Sequence, residues 1–287
     1  MLAIYKKELR SYFNSMIGYV FLALFLVIIG IYFFVMNFMY GYADFEYTLS
    51  SITFIFVLLT PLLTMRLMAE ENKQKTDQLL LTSPVTATSI VVGKLLAVVT
   101  IFGSVMLVTC FYPLILSHYG TVTLATAYSA ILAFVLLGAA YLSMGLFISA
   151  LTESQVIAAV ISFVAFLFTL LMQGIANMIP SDNKTAVGIF TLIIIVIGVI
   201  LYRMMRNLTV SVILGVLAEA GLLAVYFVKP TLLDGSVGNL FGWISVVSRF
   251  DNFKLGLFDV SGIVYYLSIC VLFVFLSVQV IKKKRWS

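Results

Sequence analysis

The sequence predicts an all-α integral membrane protein, a polytopic bundle of about eight spanning helices. Three observations predict it. Of 287 residues, 63% are hydrophobic and 10% are charged, whereas an ordinary soluble domain carries about 25% charged residues. So few charges cannot cover a water-facing surface. The runs 11–43, 47–65, 154–181, 185–202 and 260–281 contain no Asp, Glu, Lys or Arg, and roughly 20 apolar residues carry a helix across a hydrocarbon core of about 30 Å. Period-2 alternation, the mark of a membrane barrel, is absent, so helices are the spanning element.

The elements follow in order. Residues 2–16 read as an amphipathic helix, with Leu2, Tyr5, Leu9, Tyr12, Phe13 and Met16 on one face and Lys6, Lys7, Arg10 and Asn14 opposite. Such a helix lies in the headgroup layer with its cations toward anionic lipid. The apolar run after it is too long for a signal h-region and lacks an A-x-A-like exit, so a cleavable signal is not expected. Spans are predicted at 17–39, 51–69, 89–116, 122–151, 155–178, 187–203, 208–228 and 260–281. The uncharged run 95–152 is too long for one helix and divides at His118-Tyr119-Gly120. The pair 187–228 divides at Arg203-Met204-Met205-Arg206-Asn207. Within 229–259, Leu240, Phe241, Ile244 and Val247 form one apolar face, with Trp243 suited to the membrane interface. Lys282-Lys283-Lys284-Arg285-Trp286 reads as an interfacial anchor.

Lysine and arginine placement orients the bundle. With the N-terminus in the cytoplasm, 13 of the 17 cations fall inside, leaving Lys184, Lys229, Arg249 and Lys254 outside. The positive-inside rule therefore places both termini in the cytoplasm, and an even number of spans agrees. The net charge of +5 is a topology signal, and nothing suggests nucleic-acid binding.

Catalytic constellations are missing. No G-x-x-x-x-G-K-[ST] occurs, since Gly93-Lys94 has no glycine five residues before it. The single histidine, His118, falls at an outer loop. Cys110 and Cys270 lie inside spans as small packing residues. Neither a metal site, a nucleophile triad nor a cofactor fingerprint is expected, and the chain itself is not expected to be an enzyme.

One polar stretch stands apart. Residues 66–85, RLMAEENKQKTDQLLLTSPV, form the first cytoplasmic connection, and its charges balance: Arg66, Lys73 and Lys75 against Glu70, Glu71 and Asp77. A connection serving topology alone would be cationic. Thr76 can cap a short helix with Asp77 in its first turn. Leu79, Leu80 and Leu81 follow, and Pro84 ends the element by disfavouring helix at Ser83. Three leucines beside charges suit docking into a soluble partner's groove, or alternatively a return into the interface beneath the bundle.

The stretch EENKQKTDQLLLTSPVTATSIVVGKLLA resembles the pattern E-E-x-x-x-G-T-x-E-x-L-L-T-x-P-x-x-x-x-x-x-x-x-G-K-x-L-A of ABC-2 type transporter permeases. Glu70, Glu71, Thr76, Leu79 to Thr82, Pro84, Gly93, Lys94, Leu96 and Ala97 match by type. The ending FDNFKLGLFDVSGIVYYLSICVLFVFLSVQVIKKKRW resembles the gliding-motility and nitrous-oxide-reductase-maturation subgroup. The chain departs at Lys75, where the family usually has Gly, which leaves the bend there uncertain. It departs also at Ser248-Arg249, in place of Ser-Pro, and in the hairpin 187–228, which exceeds the six-span minimum.

The resemblance implies a single transmembrane domain over 1–287 of the type-2 ABC exporter fold. Residues 2–16 would be its elbow helix, 70–84 its coupling helix and 229–259 its extracellular re-entrant segment. Glu70, Glu71, Thr76, Asp77, Leu79, Leu80, Leu81, Thr82 and Pro84 would seat on a separate ATP-binding cassette ATPase subunit, which holds the ATP and Mg, with no cofactor on this chain. A second permease copy or a paralogue would complete an exporter in a bacterial cell membrane, in contact with membrane lipid. In that fold the first, second and fifth spans meet at the dimer centre. Thr60, Thr64, Phe166, Gln173 and Asn177 are therefore candidate pathway residues, near a kink expected at Pro61. Ordinary interhelical hydrogen bonding is the other reading of these polar groups. Ala139-Ser143 and Gly145-Ser149 read as close-packing pairs. Glu219 is the single ionisable residue deep in a span. It is either a structural group bonded to a neighbouring helix or, in a competing class of function, the proton or ion site of a secondary transporter or channel.

Overall fold

A computed structural model of the chain describes residues 1–76, 85–180, 182–205, 208–229 and 233–286. Among these every regular element is helical. Helix α1 (Leu2–Asn14) turns sharply into α2 (Met16–Phe33) at Ser15, whose backbone is extended. The turn is tight enough that a Cβ on Gly18 would collide with the Tyr12 carbonyl, which only glycine avoids. A single π-helical turn, Phe34–Met39, ends the first span. Asn37 closes it by donating to Tyr42 O at 2.7 Å and accepting from Thr48 at 2.7 Å.

Helix α3 (Phe45–Thr64) begins six residues before the predicted 51. The reason is Glu46: it is buried in the first turn, where a carboxylate offsets the helix dipole, so a charge that reads as a boundary lies inside the helix. Helix α4 (Ala69–Gln74) follows after a turn. Helix α5 (Ala87–Thr109) starts at the Thr86 cap, whose hydroxyl accepts from Ser89 N at 3.3 Å. Helix α6 (Phe111–Tyr119) stops at Gly120, the break the sequence marks. Helices α7 (Leu124–Leu151) and α8 (Gln155–Met178) come next. Beyond them lie α9 (Asn183–Met205), α10 (Leu208–Val228), α11 (Ser236–Ile244), α12 (Phe250–Lys254) and α13 (Val260–Trp286). Eight of these segments, among the described residues, are long and apolar enough to cross a membrane.

The chain divides into two compact units. Residues 1–170 and 246–287 form the first. Here α7 is the central helix, with α3, α5 and α13 packed along it. Small residues let them close: a Cβ on Gly138 would strike the Phe102 ring, and one on Gly145 would strike Thr64. Phe56 stands at the middle of the core, 5.7 Å from Phe25 and 5.1 Å from both Phe102 and Phe134. Residues 171–245 form the second unit, in which α9 and α10 run antiparallel and α11 packs on α9 through Ala186, Leu233 and Val237.

Candidate functional site

Helix α3 ends at Thr64, and the backbone polar groups of the turn that follows must be satisfied from elsewhere. Three different helices supply them. The Tyr12 hydroxyl of α1 donates to Leu63 O at 2.7 Å. Ser149 of α7 donates to Met65 O at 3.1 Å and accepts from Met68 N at 3.1 Å and Ala69 N at 3.0 Å. A serine hydroxyl has one donor and two acceptor sites, so Ser149 is filled. Lys94 of α5 donates to Leu67 O at 2.7 Å. One helical turn further on, Asn72 donates its amide to Thr152 O at 2.9 Å. Close packing is thus only part of what Ser149 does; it is a hydrogen-bonding hub.

Lys94 carries more than this carbonyl. Its side chain is 1% exposed, and its ammonium also reaches Glu8 of α1 at 3.0 Å and Glu71 of α4 at 2.9 Å. Three donors meet three acceptors, which is the condition for burying an ammonium at tolerable cost. Gly93 makes the approach feasible, since a Cβ there would stand 3.2 Å from Met1 O and 3.3 Å from Ile4 Cβ. The second oxygen of Glu71 accepts from Lys7 at 2.9 Å. Partial burial pulls the Lys7 ammonium down, but the hydrogen bond and charge of Glu71, with Glu8 behind, raise it above the ordinary lysine value. Arg66 binds Glu70 at 2.7 Å and lies over the Tyr12 ring at 5.6 Å. Three cations therefore face three carboxylates around a cavity of about 280 Å³ between α1 and the connection.

The amphipathic helix is present, but its inward face is Ile4, Glu8 and Tyr12, while Leu2 and Met16 are exposed. A count of hydrophobic positions does not find Glu8 on the inward face, because its place there depends on the ion pair with Lys94. Charge placement and the family pattern both mark Lys94, and neither shows that its ammonium is buried. The available signal was its isolation: it is the single charge between Asp77 and Glu153.

Lys75 makes the bend that its identity left uncertain. Its backbone is left-handed at φ 55° and ψ 20°. Lys75 N donates to Asn72 O and Thr76 N to Glu71 O, the Schellman pattern that ends helices. The family's glycine is the residue type that this conformation favours; the lysine adopts it at a cost of roughly 1–2 kcal/mol. Of the residues expected to couple, Glu70 and Glu71 are held inside the chain's own ion network and Thr76 is exposed just past the bend. Asp77, Leu79, Leu80, Leu81, Thr82 and Pro84 lie outside the described residues.

The pathway candidates separate. Thr60, Thr64 and Phe166 are fully buried within the first unit. Thr60 donates to Phe56 O at 2.7 Å, Thr64 donates to the carbonyls of Thr60 and Pro61, and Phe166 packs 4.9 Å from Tyr141. The structure places these three in the packed interior of the first unit. In the second unit Asn177 is exposed, and Gln173 is half-buried, with Oε1 lacking a partner close to Gly242 of α11. Glu219 accepts from Thr191 of α9 at 2.8 Å, the bond to a neighbouring helix that a structural reading requires.

Residues 39–233 match the family described as ABC-2 family transporter protein, more than half of the 287-residue chain. The chain belongs to this family. It is therefore a multi-pass membrane permease of the ABC transporter class, and the bolted connection 66–76 lies inside the matched region. The ending that resembles the gliding-motility subgroup lies beyond it, from 250 onward. Curated proteins yield no match to this permease.

Proposed function

We propose that this ABC-2 permease is the membrane half of an ATP-driven exporter, and that a separate ATP-binding cassette subunit drives it through residues 70–84. The observation that carries the reading is the fixing of the connection: Tyr12, Lys94, Ser149 and Thr152 tie it to α1, α5 and α7 at once. A loop that merely joins two spans needs no such fixing. A segment that receives force from outside must be stiffly joined to the helices it moves. The exposed residues beyond it, Lys73, Gln74, Lys75 and Thr76, then present the surface for the ATPase, which holds ATP and Mg.

The remaining parts of the reading follow the charge distribution and the family resemblance. Both termini are cytoplasmic in a bacterial cell membrane. Two permease copies, or this chain and a paralogue, pair with two ATPases, and Gln173 and Asn177 border the route taken by the cargo. The gliding-motility-like ending supports placement in that subgroup. The test is co-purification: Leu79→Asp with Leu80→Asp should abolish association with the ATPase while the permease still inserts. Survival of the complex through that double change overturns the docking role.

A further inference from the structure

The antiparallel hairpin α9–α10 carries a groove that the coupling role leaves unused. Its volume is about 510 Å³, within the range of small-molecule sites. Thr191 and Glu219 line one end and Tyr202 the other, with Gly215 and the Gly198–Ser211 contact between. The Ser211 hydroxyl donates to Gly198 O at 2.5 Å and holds the helices together there. A Cβ added to Gly215 would meet nothing within 4 Å, so this glycine leaves open space in the groove. From Thr191 to Tyr202 is eleven residues, about 16 Å of helix, or roughly half of a 30 Å hydrocarbon core. The groove thus runs from mid-bilayer to the interface at the Arg203 end.

At its deep end sits a carboxyl group. Glu219 is half-buried and bonded through one oxygen to Thr191. Among the described residues lining the groove none is cationic. An ionised carboxylate at this depth costs at least about 2.5 kcal/mol unless it is neutralised. The pair lines the cavity, so the carboxyl is accessible from it. Inorganic cations are poorly served, since they require several oxygen ligands and the deep end offers the carboxyl and one hydroxyl.

We infer that the groove is a binding site for lipophilic monovalent organic cations, with Glu219 as the counter-charge. Such a molecule has a delocalised charge and an apolar body, so it enters hydrocarbon and fills a cleft walled by Ile194, Ile195, Val199, Val212 and Val216. Thr191 holds the carboxylate toward the cleft. Entry is from the leaflet at the Arg203 end, the cytoplasmic one in the orientation proposed above.

The test is equilibrium binding of tetraphenylphosphonium to the full chain in lipid nanodiscs, without ATPase or ATP, so that failure of the coupling reading leaves it unaffected. Saturable binding is expected, with tetraphenylborate, the anion of the same shape, failing to compete. Glu219→Gln should weaken binding at least tenfold. Gly215→Leu should do the same by filling the cleft while keeping the carboxyl. Because Glu219→Gln could disturb the hairpin, both variants are judged on chains that remain monodisperse, and Gly215→Leu decides if the other does not. No saturable binding, or binding untouched by Gly215→Leu, or equal competition by tetraphenylborate, overturns the assignment.

Discussion

The Lys94 ammonium lies 2.9 Å from Glu71 Oε2, joining an intramembrane helix to the short helix that leaves the bundle at its first connection. This contact and its twin to Glu8 at 3.0 Å make one cation the meeting point of α1, α4 and α5. Removing that cation leaves Glu8 and Glu71 with Lys7 alone as charge partner, and loss of one partner of a buried pair costs up to about 3–5 kcal/mol.

Lys94→Met is therefore expected to lower thermal stability strongly. Adding Glu8→Gln and Glu71→Gln to it should recover much of the loss, because the two carboxylates left with Lys7 alone go with the cation. The unfolding midpoint of the detergent-solubilised chain checks both outcomes. Equal damage from the single and triple variants would mean that the network is not an electrostatic unit.

Ser149→Ala removes a smaller group with a different signature. It leaves Met68 N and Ala69 N without acceptors, and each buried donor left unsatisfied costs about 1–3 kcal/mol. Hydrogen exchange at 66–72 should accelerate by tenfold or more while the amides of α5 stay protected. Uniform acceleration throughout the first unit would show a global effect instead of a local one.

Lys75→Gly should stabilise the end of α4 by about 1 kcal/mol, the left-handed conformation being unfavourable for a side chain bearing a Cβ. Lys75→Val should do the opposite. Slower exchange at Asn72 through Thr76 in the glycine variant is the readout.

The Lys7 ammonium gives a pH dependence. Its pKa in the folded chain is raised by Glu71 and Glu8, so the folded state holds its proton more tightly than the unfolded one. The contribution is therefore complete below the unfolded value of about 10.4 and disappears as pH rises through the folded value. Lys7→Gln should flatten the alkaline side of the stability profile and leave the neutral side unchanged in shape, as followed by thermal melts between about pH 8 and 12.

How much of this was legible follows from what each signal measures. Spans at 155–178 and 208–228 match their helices end to end, because apolar length alone decides them. Helix α3 starts one residue ahead of Glu46 and buries it, and α1 buries Glu8 against Lys94; hydropathy scores a charge by type and carries neither placement. Lys94 and Ser149 belong to one site but lie 55 residues apart in the chain, and only the fold brings them to the same turn. Thr60 and Thr64 show another limit: each hydroxyl is bonded to its own helix, a partner that residue type alone does not reveal.

The central claim is that the connection held by Lys94 and Ser149 faces an ATPase. The most direct measurement places a photo-crosslinking residue at Lys73, exposed on α4, and separately at Tyr42, exposed in the loop between the first two spans. Irradiation of native membranes should attach an ATP-binding cassette subunit to position 73 and nothing of that kind to position 42. An ATPase adduct at 42, or none at 73 in membranes that contain the assembled transporter, would contradict the account.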